Sequence, residues 1–352
     1  MYASLRRLLF TLEPETAHQL VLGALAKTSR SKTLCALLAK CNRARIAEMP
    51  RTVMGIDFPN PVGLAAGLDK QGNACNALHA LGFGWLELGT VTPLPQPGNP
   101  KPRLFRLAGH DAIINRMGFN SAGLARFLEN LNGADRGIIK GINIGKNAAT
   151  ALDHTLDDYL AGLEAVHSVA DYVAVNISSP NTQNLRDLQQ ADALDPLLHG
   201  INRKRMALAD AAGRRMPLVL KIAPDLDDEA IGHIAALARK HQIDGLAATN
   251  TTLERTGVER HPLAGEVGGL SGPPLAPLAT DTIRRLFANL QGEIPIIGIG
   301  GIDSAHSARE KFQAGADLVQ LYTGFIHHGP KLIREIIEGL RGDLCDEIYA
   351  VK

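Results

Sequence analysis

Short apolar segments alternate with helix-compatible segments along most of the chain from about residue 60 onward. The eight apolar segments are residues 62–65, 85–90, 141–145, 172–177, 218–223, 245–249, 296–300 and 318–322. Helical patterns lie between most of them, including residues 155–170, 228–241 and 276–289. Alternating strands and helices predict an α/β protein with a parallel sheet. Eight units predict a closed (β/α)8 TIM barrel, with an open doubly wound sheet as the alternative.

Two segments depart from this alternation. Residues 52–59 have the pattern of a short strand outside the repeat, which we expect to close the bottom of the barrel. Residues 93–102 are rich in proline, and with residues 104–115 they predict a loop and a hairpin that lie over the barrel.

The first 46 residues have another pattern, in which leucines at helical spacing stand beside basic residues. The apolar positions are Leu5, Leu8, Leu9 and Leu12 in a first helix, and Leu20, Val21, Leu22 and Leu25 in a second helix that Pro14 opens. A third amphipathic piece covers residues 33–40. Such helices are typical of membrane-interface segments and are equally compatible with a helical cap on the barrel. We therefore predict a small N-terminal helical extension at residues 1–46 and a barrel domain at residues 47–352.

Charge is distributed unevenly over the 352 residues. The net charge is +1, yet residues 1–51 hold nine Lys/Arg and three acidic residues, so a basic head precedes a mildly acidic body. This balance argues against bulk attraction to nucleic acid. The four cysteines form no CxxC pair, so we expect neither a metal site nor a disulfide, and we expect a reducing, intracellular compartment. No apolar run approaches the roughly 20 residues of a membrane span, and we expect no signal peptide.

The apolar run at residues 172–175 leads directly into a polar segment, residues 176–182, that contains two asparagines and two adjacent serines. Pro180 ends the strand near Ser179, because proline cannot donate to a ladder and disfavours helix at the preceding residue. The strand therefore delivers a hydroxyl and several amides to its C-terminal end, where α/β enzymes hold their chemistry. An ordinary polar turn is the alternative.

Glycines mark the ends of the last two predicted strands, in the segments 298–301 and 315–324. In this fold, bare backbone N–H groups and a helix N-terminus at that place commonly bind phosphate. Plain turn chemistry is the alternative. A phosphate on a barrel without a metal or P-loop signature suggests a phosphorylated cofactor or substrate.

Lysines and carboxamides accompany the predicted strand ends. Lys221 interrupts an otherwise apolar run, and because burying an unpaired ammonium is costly, we expect it to face a negative partner in the barrel mouth. Lys70 follows the first run, where a surface salt bridge is the alternative. The carboxamides are Asn115, Asn143, Asn176 and Asn250. Singly each is a common turn or cap residue, but together they suit a planar, amide-rich ligand.

Histidines and carboxylate pairs do not occur at the predicted strand tips. Glycosidase and triad-hydrolase mechanisms depend on such residues, so neither is expected. Ser179 is then the candidate proton acceptor.

These motifs resemble those of the dihydroorotate dehydrogenases, in particular the quinone-dependent, membrane-associated class 2 branch. The matching motifs lie at residues 63–70, 115–119, 141–147, 176–182, 221–226, 249–252, 268–272 and 295–302. The resemblance covers essentially the whole chain and implies a flavin-containing (β/α)8 barrel that oxidises dihydroorotate to orotate in pyrimidine (UMP) biosynthesis. The alternatives are a soluble dihydroorotate dehydrogenase that uses fumarate or NAD, and a phosphate-ligand-binding barrel without redox chemistry.

The resemblance also implies roles for individual residues. The residues that would line FMN are Ala66, Gly67, Lys70, Thr90, Asn143, Asn176, Lys221, Thr249, Gly272, Gly301, Tyr322 and Thr323. The orotate site would comprise Lys70, Asn115, Arg116, Met117, Gly118, Phe119, Asn176, Asn181, Asn250 and Thr251. Lys221 would face the electron-rich edge of the isoalloxazine ring. Ser179 would remove a proton from substrate C5 while hydride leaves C6 for the flavin, with a water or threonine relay for its proton.

The class 2 branch implies a quinone and a membrane as further partners. Class 1 relatives use cysteine as the base, and the fumarate-dependent ones lack the helical head, whereas this chain has both the serine and the head. Residues 1–46 would guide ubiquinone or menaquinone to the flavin, with His18 and Arg106 near the path. A helix-surface histidine and a hairpin salt bridge are the alternatives for these two residues. We expect a monomeric, peripheral protein without a mitochondrial presequence, on the cytoplasmic face of the bacterial inner membrane.

Overall fold

The computed structural model describes residues 2–182 and 184–343, and in these ranges it contains thirteen strands and twelve α-helices. The strands are β1 (Arg51–Val53), β2 (Ile56–Phe58), β3 (Val62–Leu64), β4 (Trp85–Val91), β5 (Leu104–Leu107), β6 (Ala112–Asn115), β7 (Lys140–Ile144), β8 (Tyr172–Asn176), β9 (Leu218–Ile222), β10 (Gly245–Ala248), β11 (Gly269–Ser271), β12 (Ile296–Ile299) and β13 (Leu318–Leu321). The helices are α1 (Tyr2–Leu9), α2 (Pro14–Ser29), α3 (Lys32–Cys41), α4 (Cys75–Ala80), α5 (Gly123–Leu131), α6 (Thr155–Val166), α7 (Ala191–Ala212), α8 (Asp228–Lys240), α9 (Ala276–Leu290), α10 (Ala305–Gln313), α11 (Thr323–His328) and α12 (Lys331–Asp343). Cys345 lies outside the described residues.

Eight parallel strands close into a barrel in the order β3-β4-β7-β8-β9-β10-β12-β13. All eight correspond to the predicted apolar segments, and the predicted (β/α)8 TIM barrel is confirmed. Nearly every strand residue is buried, because side chains fill the interior and helices cover the outside. The polar residues in these strands therefore need partners inside the barrel.

A hairpin closes the bottom of the barrel. β1 and β2 pair antiparallel around Met54 and Gly55, which both have positive φ, so the expected single strand at residues 52–59 is wrong. A left-handed turn at these two residues reverses the chain within what reads as one apolar run. Phe58 packs edge-on against Trp85 with ring centroids 5.4 Å apart, which places the hairpin under the N-terminal ends of the strands.

A small antiparallel sheet lies over the opposite end. β5 and β6 form the predicted hairpin, and β11 adds a third strand through the pair Gly269 and Asn115. The sequence pattern did not predict β11, because its three residues are too few to show a period.

Three helices form the N-terminal head, in which α2 and α3 pack on α4 of the barrel and α1 packs on α11. Glu15 in α2 is buried and makes two hydrogen bonds to the Arg103 guanidinium, at 2.8 and 3.1 Å. The opposite face of the head exposes a set of apolar side chains: Leu5, Leu8, Leu12, Leu20, Val21, Leu34 and Leu37. One face of the head therefore packs on the barrel, as the cap interpretation expects, and the membrane-interface interpretation stays a prediction. Among the described helices, none is long and apolar enough to cross a bilayer.

Candidate active site

A cavity opens at the C-terminal ends of the barrel strands and reaches down toward the barrel interior. It encloses about 980 Å³ up to its open mouth. Of the predicted site residues, the following line it: Ala66, Gly67, Lys70, Thr90, Asn115, Met117, Gly118, Phe119, Asn176, Ser179, Asn181, Lys221, Thr249, Asn250, Thr251, Gly272, Gly301, Tyr322 and Thr323. Residues from all parts of the barrel thus meet in one place, as the carboxyl ends of parallel strands require.

Four predicted residues lie elsewhere. Asn143 is fully buried behind Thr90 and Asn176. Arg116 points away from the cavity to Glu266, 2.7 Å away, and its guanidinium stacks on a phenylalanine of the hairpin. His18 and Arg106 lie on the side of the head.

Glycines form one wall of the cavity. Gly301 has φ +72°, and a Cβ there would stand 2.4 Å from the Cβ of Ala276. Gly272 has φ +104°, and a Cβ there would stand 2.7 Å from a backbone oxygen. Nearby, the Thr323 hydroxyl donates to Ser271 Oγ at 2.8 Å. The backbone of this wall therefore carries no side chain at Gly272 and Gly301, and a hydroxyl lies beside it. Such a wall suits a phosphate group.

A buried carboxylate supports the floor of the cavity. Glu87 in β4 is fully buried, and its Oε1 lies 3.3 Å from Lys221 Nζ and 2.8 Å from Asn143 Nδ2. Lys221 thus has the negative partner that the sequence predicted. Glu87 was not predicted as a site residue, because it lies inside its strand and carboxylates were expected at the strand tips. The same signal that revealed Lys221, a charge inside an apolar strand, is present at Trp85-Leu86-Glu87-Leu88.

Amides and hydroxyls form the wall beside Ser179. The Asn181 backbone N–H donates to Ser179 Oγ at 3.2 Å, and Asn181 Nδ2 donates to Asn115 Oδ1 at 3.3 Å. Ser178 donates to Asn176 Oδ1 at 3.0 Å and accepts from Asn250 Nδ2 at 2.9 Å. These contacts hold the tips of two barrel strands and the hairpin in one arrangement.

Lys70 supplies a cation at the mouth. Its ammonium donates to Asn120 Oδ1 at 2.5 Å and is partly covered by protein. Burial is the main cause that lowers the pKa of Lys70 to about 7; the positive charge of Arg103 acts in the same direction and Glu15 acts against it. Lys70 therefore changes charge near neutral pH unless an anion binds beside it.

Arg186 is a second residue that sequence reasoning missed. It lies in a short 3₁₀ segment after Ser179, and its guanidinium donates to the carbonyls of Ser178 and Thr251 at 3.1 and 2.7 Å. It also pairs with Asp225 at 2.6 Å. These bonds tie the serine-bearing loop to the tips of β9 and β10. No sequence motif marks this role, because the partners are mostly backbone carbonyls.

A second cavity separates the head from the β5–β6 hairpin. Arg106 lines it, donates to the Leu12 carbonyl, and stacks on the Phe10 ring at 4.6 Å. The expected alternative, a hairpin salt bridge, is not what Arg106 makes among the described contacts. His18 belongs to α2 of the head and lies near Lys70, which lines the first cavity. Burial lowers the pKa of His18 to about 4, and the nearby Lys70 charge contributes, so the imidazole is neutral at pH 7.

A family model described as dihydroorotate dehydrogenase matches residues 49–344, which is most of the chain. The chain belongs to the dihydroorotate dehydrogenase family. Its similarity to curated members extends through the head as well. It is 54% identical to dihydroorotate dehydrogenase (quinone) of Chromobacterium violaceum over 335 residues, 95% of this chain and 96% of the relative. It is 52% identical to the protein of the same name from Burkholderia cenocepacia over 340 residues, 97% of each.

Solved structures of dihydroorotate dehydrogenases share the fold. The crystal structure of DHODH from Eimeria tenella in complex with ferulenol superposes with a TM-score of 0.87 at 35% identity, covering 98% of this chain and 97% of the other. The ligand-free type from the same organism gives 0.84 at 38% identity, covering 93% of this chain and 94% of the other.

Dihydroorotate dehydrogenases are flavin-dependent, and the residues of this site fit a flavin. The cavity combines the bare glycine wall with apolar surface from Ala66 and Tyr322 and with the Lys221 ammonium. Gln320 Oε1 is buried at the cavity and has no hydrogen-bond partner among the described residues. A buried acceptor in this position is satisfied when a ligand N–H meets it.

Proposed function

We propose that this chain oxidises dihydroorotate to orotate in pyrimidine biosynthesis, with FMN as the cofactor, a membrane quinone as the final acceptor and Ser179 as the base. Family membership and the names of the curated relatives support the reaction and the quinone. The observation that carries the residue assignment is that the Ser179 hydroxyl, the Lys221 ammonium and the glycine wall line one cavity.

Substrate binding falls to the amide-rich half of the cavity. The side chains of Asn115, Asn181 and Asn250 have both donors and acceptors, which can hydrogen-bond to the ring amides of dihydroorotate. The Lys70 ammonium would bind the carboxylate of dihydroorotate through a charge-assisted hydrogen bond. Arg116 has its partners outside the cavity, so we assign it the positioning of the neighbouring loop in place of substrate contact.

Ser179 is proposed to take the C5 proton. A serine hydroxyl is a weak base, so its own proton must leave as it accepts another. The Asn181 N–H directed at Ser179 Oγ stabilises the negative charge that develops on this oxygen during the transfer. Arg186 holds both strand tips around it and keeps the hydroxyl facing the cavity.

The cofactor residues are proposed as a phosphate wall and a charged floor. Gly272, Gly301 and Thr323 would hold the FMN phosphate through backbone N–H groups and a hydroxyl. When bound, FMN would supply the acceptor for the hydride of C6 and the electrons for the quinone. Lys221 is held at the floor of the cavity through its contact with Glu87.

Residues 1–46 are proposed as a membrane and quinone-access domain on the FMN-binding barrel of residues 47–352. The exposed leucines and basic residues of the head suit a lipid surface, which supports peripheral attachment at the cytoplasmic face of the inner membrane. Arg106 of the hairpin lines the cavity beside the head, and the neutral His18 lies in α2 of the head near Lys70, so both are proposed to be near the quinone path. The preferred quinone is ubiquinone or menaquinone, and we propose that a monomer suffices, since every group named comes from one chain.

The visible spectrum and the choice of acceptor test this function. The purified protein should be yellow with stoichiometric FMN, and dihydroorotate should support reduction of a ubiquinone analogue faster than reduction of fumarate or NAD⁺. A colourless protein would support the barrel without redox chemistry, and a preference for fumarate or NAD⁺ would support the soluble alternative.

A further inference from the structure

Glu87, which is buried inside the barrel, is surrounded by four hydrogen-bond donors. Besides Lys221 and Asn143 at Oε1, its Oε2 accepts from Tyr172 at 2.9 Å and from Gln320 Nε2 at 2.7 Å. A buried carboxylate is costly unless it is paired and hydrogen-bonded, so four donors indicate a site built to keep one.

The partners of Glu87 divide into two groups by their position. Tyr172 is fully buried in the barrel interior, and its hydroxyl does not line the cavity. Lys221 and Gln320 line the cavity, and Asn143 contacts the lining residues Thr90 and Asn176 at 2.5 and 3.1 Å. Three of the four partners of Glu87 therefore line the cavity or contact residues that line it, so a change at Glu87 would alter the cavity wall.

The charges matter as well as the positions. Lys221 is the one cation among the hydrogen-bonding partners of Glu87 in the described chain, and its side chain is 6% exposed against 0% for Glu87. When the Glu87 carboxylate and the Lys221 ammonium are both ionised, the net charge of the pair is zero. Without the carboxylate, the ammonium would present an uncompensated positive charge to the cavity in a low-dielectric setting, where such charges act strongly.

We propose that Glu87 is a positioning residue that holds Lys221 and Asn143 beneath the flavin and offsets the Lys221 charge, and so keeps the reduction potential of the flavin lower than Lys221 alone would set it. A nearby positive charge favours the electron-rich reduced flavin, and a compensated one favours it less. This inference rests on the proposed function, because it requires a flavin in the cavity.

The test is the midpoint potential of the bound flavin in Glu87→Gln, with Tyr172→Phe as the matched control. Both variants change the hydrogen bonding of Glu87, but only Glu87→Gln removes the charge. Glu87→Gln should raise the potential by about 30 mV or more, equivalent to tenfold in the two-electron equilibrium. It should also tighten sulfite binding to the flavin by about tenfold or more. Tyr172→Phe should leave both values unchanged.

A potential in Glu87→Gln equal to the wild-type value, or an equal rise in Tyr172→Phe, would overturn the proposal. Because Glu87→Gln leaves a buried ammonium unpaired and could prevent folding, the double variant Glu87→Gln/Lys221→Met provides a second test without a buried charge. Its potential should lie at or below the wild-type value, and a rise would overturn the proposal. Wild-type protein that binds no flavin would instead contradict the proposed function.

Discussion

The Ser179 hydroxyl lines the cavity and accepts one hydrogen bond, from the backbone N–H of Asn181. Its neighbour Ser178 is similarly buried, yet its hydroxyl is engaged with Asn176 and Asn250. Two adjacent serines thus have different surroundings, and only one of them lines the cavity. This difference separates a base from a structural hydroxyl and can be tested by paired substitutions.

Ser179→Ala should slow the reduction of the flavin by dihydroorotate by about 10²–10⁴-fold, the usual contribution of a positioned base. Stopped-flow absorbance measures this step directly, and FMN content should not change. Ser178→Ala is the control, and it should weaken orotate binding while slowing reduction at saturating substrate by about tenfold at most. Equal rates in Ser179→Ala and the wild type would remove Ser179 from the mechanism.

Lys70 gives the site a pH dependence of known sign. Its pKa is lowered to about 7, so the ammonium is present below pH 7 and is lost as the pH rises through that value. Orotate affinity should therefore fall above pH 7, approaching tenfold per pH unit, with proton uptake on binding. Calorimetric titration in two buffers measures both. Lys70→Met should bind weakly with no such slope, and an identical slope in this variant would assign the titration to another group.

At the level of elements, the strands and the site glycines could be predicted because their signals are local. Each of the eight predicted apolar segments corresponds to a barrel strand, and Lys221 could be recognised as a charge within one of them. β11 and the β1–β2 turn were not predictable, since three-residue strands and a left-handed Met54 carry no periodic pattern. Arg186 and the Glu15–Arg103 contact depend on residues far apart in sequence, which only the folded chain brings together.

The head is coupled to the barrel by the Glu15–Arg103 ion pair, which affects how it should be tested. Deleting residues 1–46 would remove both the carboxylate partner of Arg103 and the helix that carries it, so the surroundings of this guanidinium would change. Loss of quinone turnover in a truncated protein could then result from a changed structure around Arg103 and not from the loss of a membrane contact. Substitutions on the exposed face of the head avoid this problem.

Leu8→Ser, Leu20→Ser and Leu37→Ser together should reduce binding to lipid vesicles and turnover of a long-chain quinone, because these side chains are more than half exposed and supply the apolar contact. Co-sedimentation and quinone assays measure these effects. Reduction of a short, water-soluble quinone should be preserved. Met206→Ser, an exposed apolar position on α7, is the control. Unchanged vesicle binding in the triple variant would exclude this face as the membrane contact.

At the scale of the whole molecule, two cavities are present, one at the C-terminal ends of the barrel strands and one between the head and the β5–β6 hairpin. Lys70 lines the first cavity, and Glu13 and Arg106 line the second. We propose that dihydroorotate binds in the first cavity and that quinone approaches through the second. This arrangement predicts two half-reactions that can be observed separately on the same protein.

The most direct test is anaerobic addition of one equivalent of dihydroorotate to the purified protein, followed by an electron acceptor, with flavin absorbance recorded throughout. We expect loss of the flavin colour with formation of one equivalent of orotate, and return of the colour when a ubiquinone analogue is added but not when fumarate or NAD⁺ is added. A flavin that dihydroorotate does not reduce, or one that fumarate or NAD⁺ reoxidises while the quinone does not, would contradict this expectation.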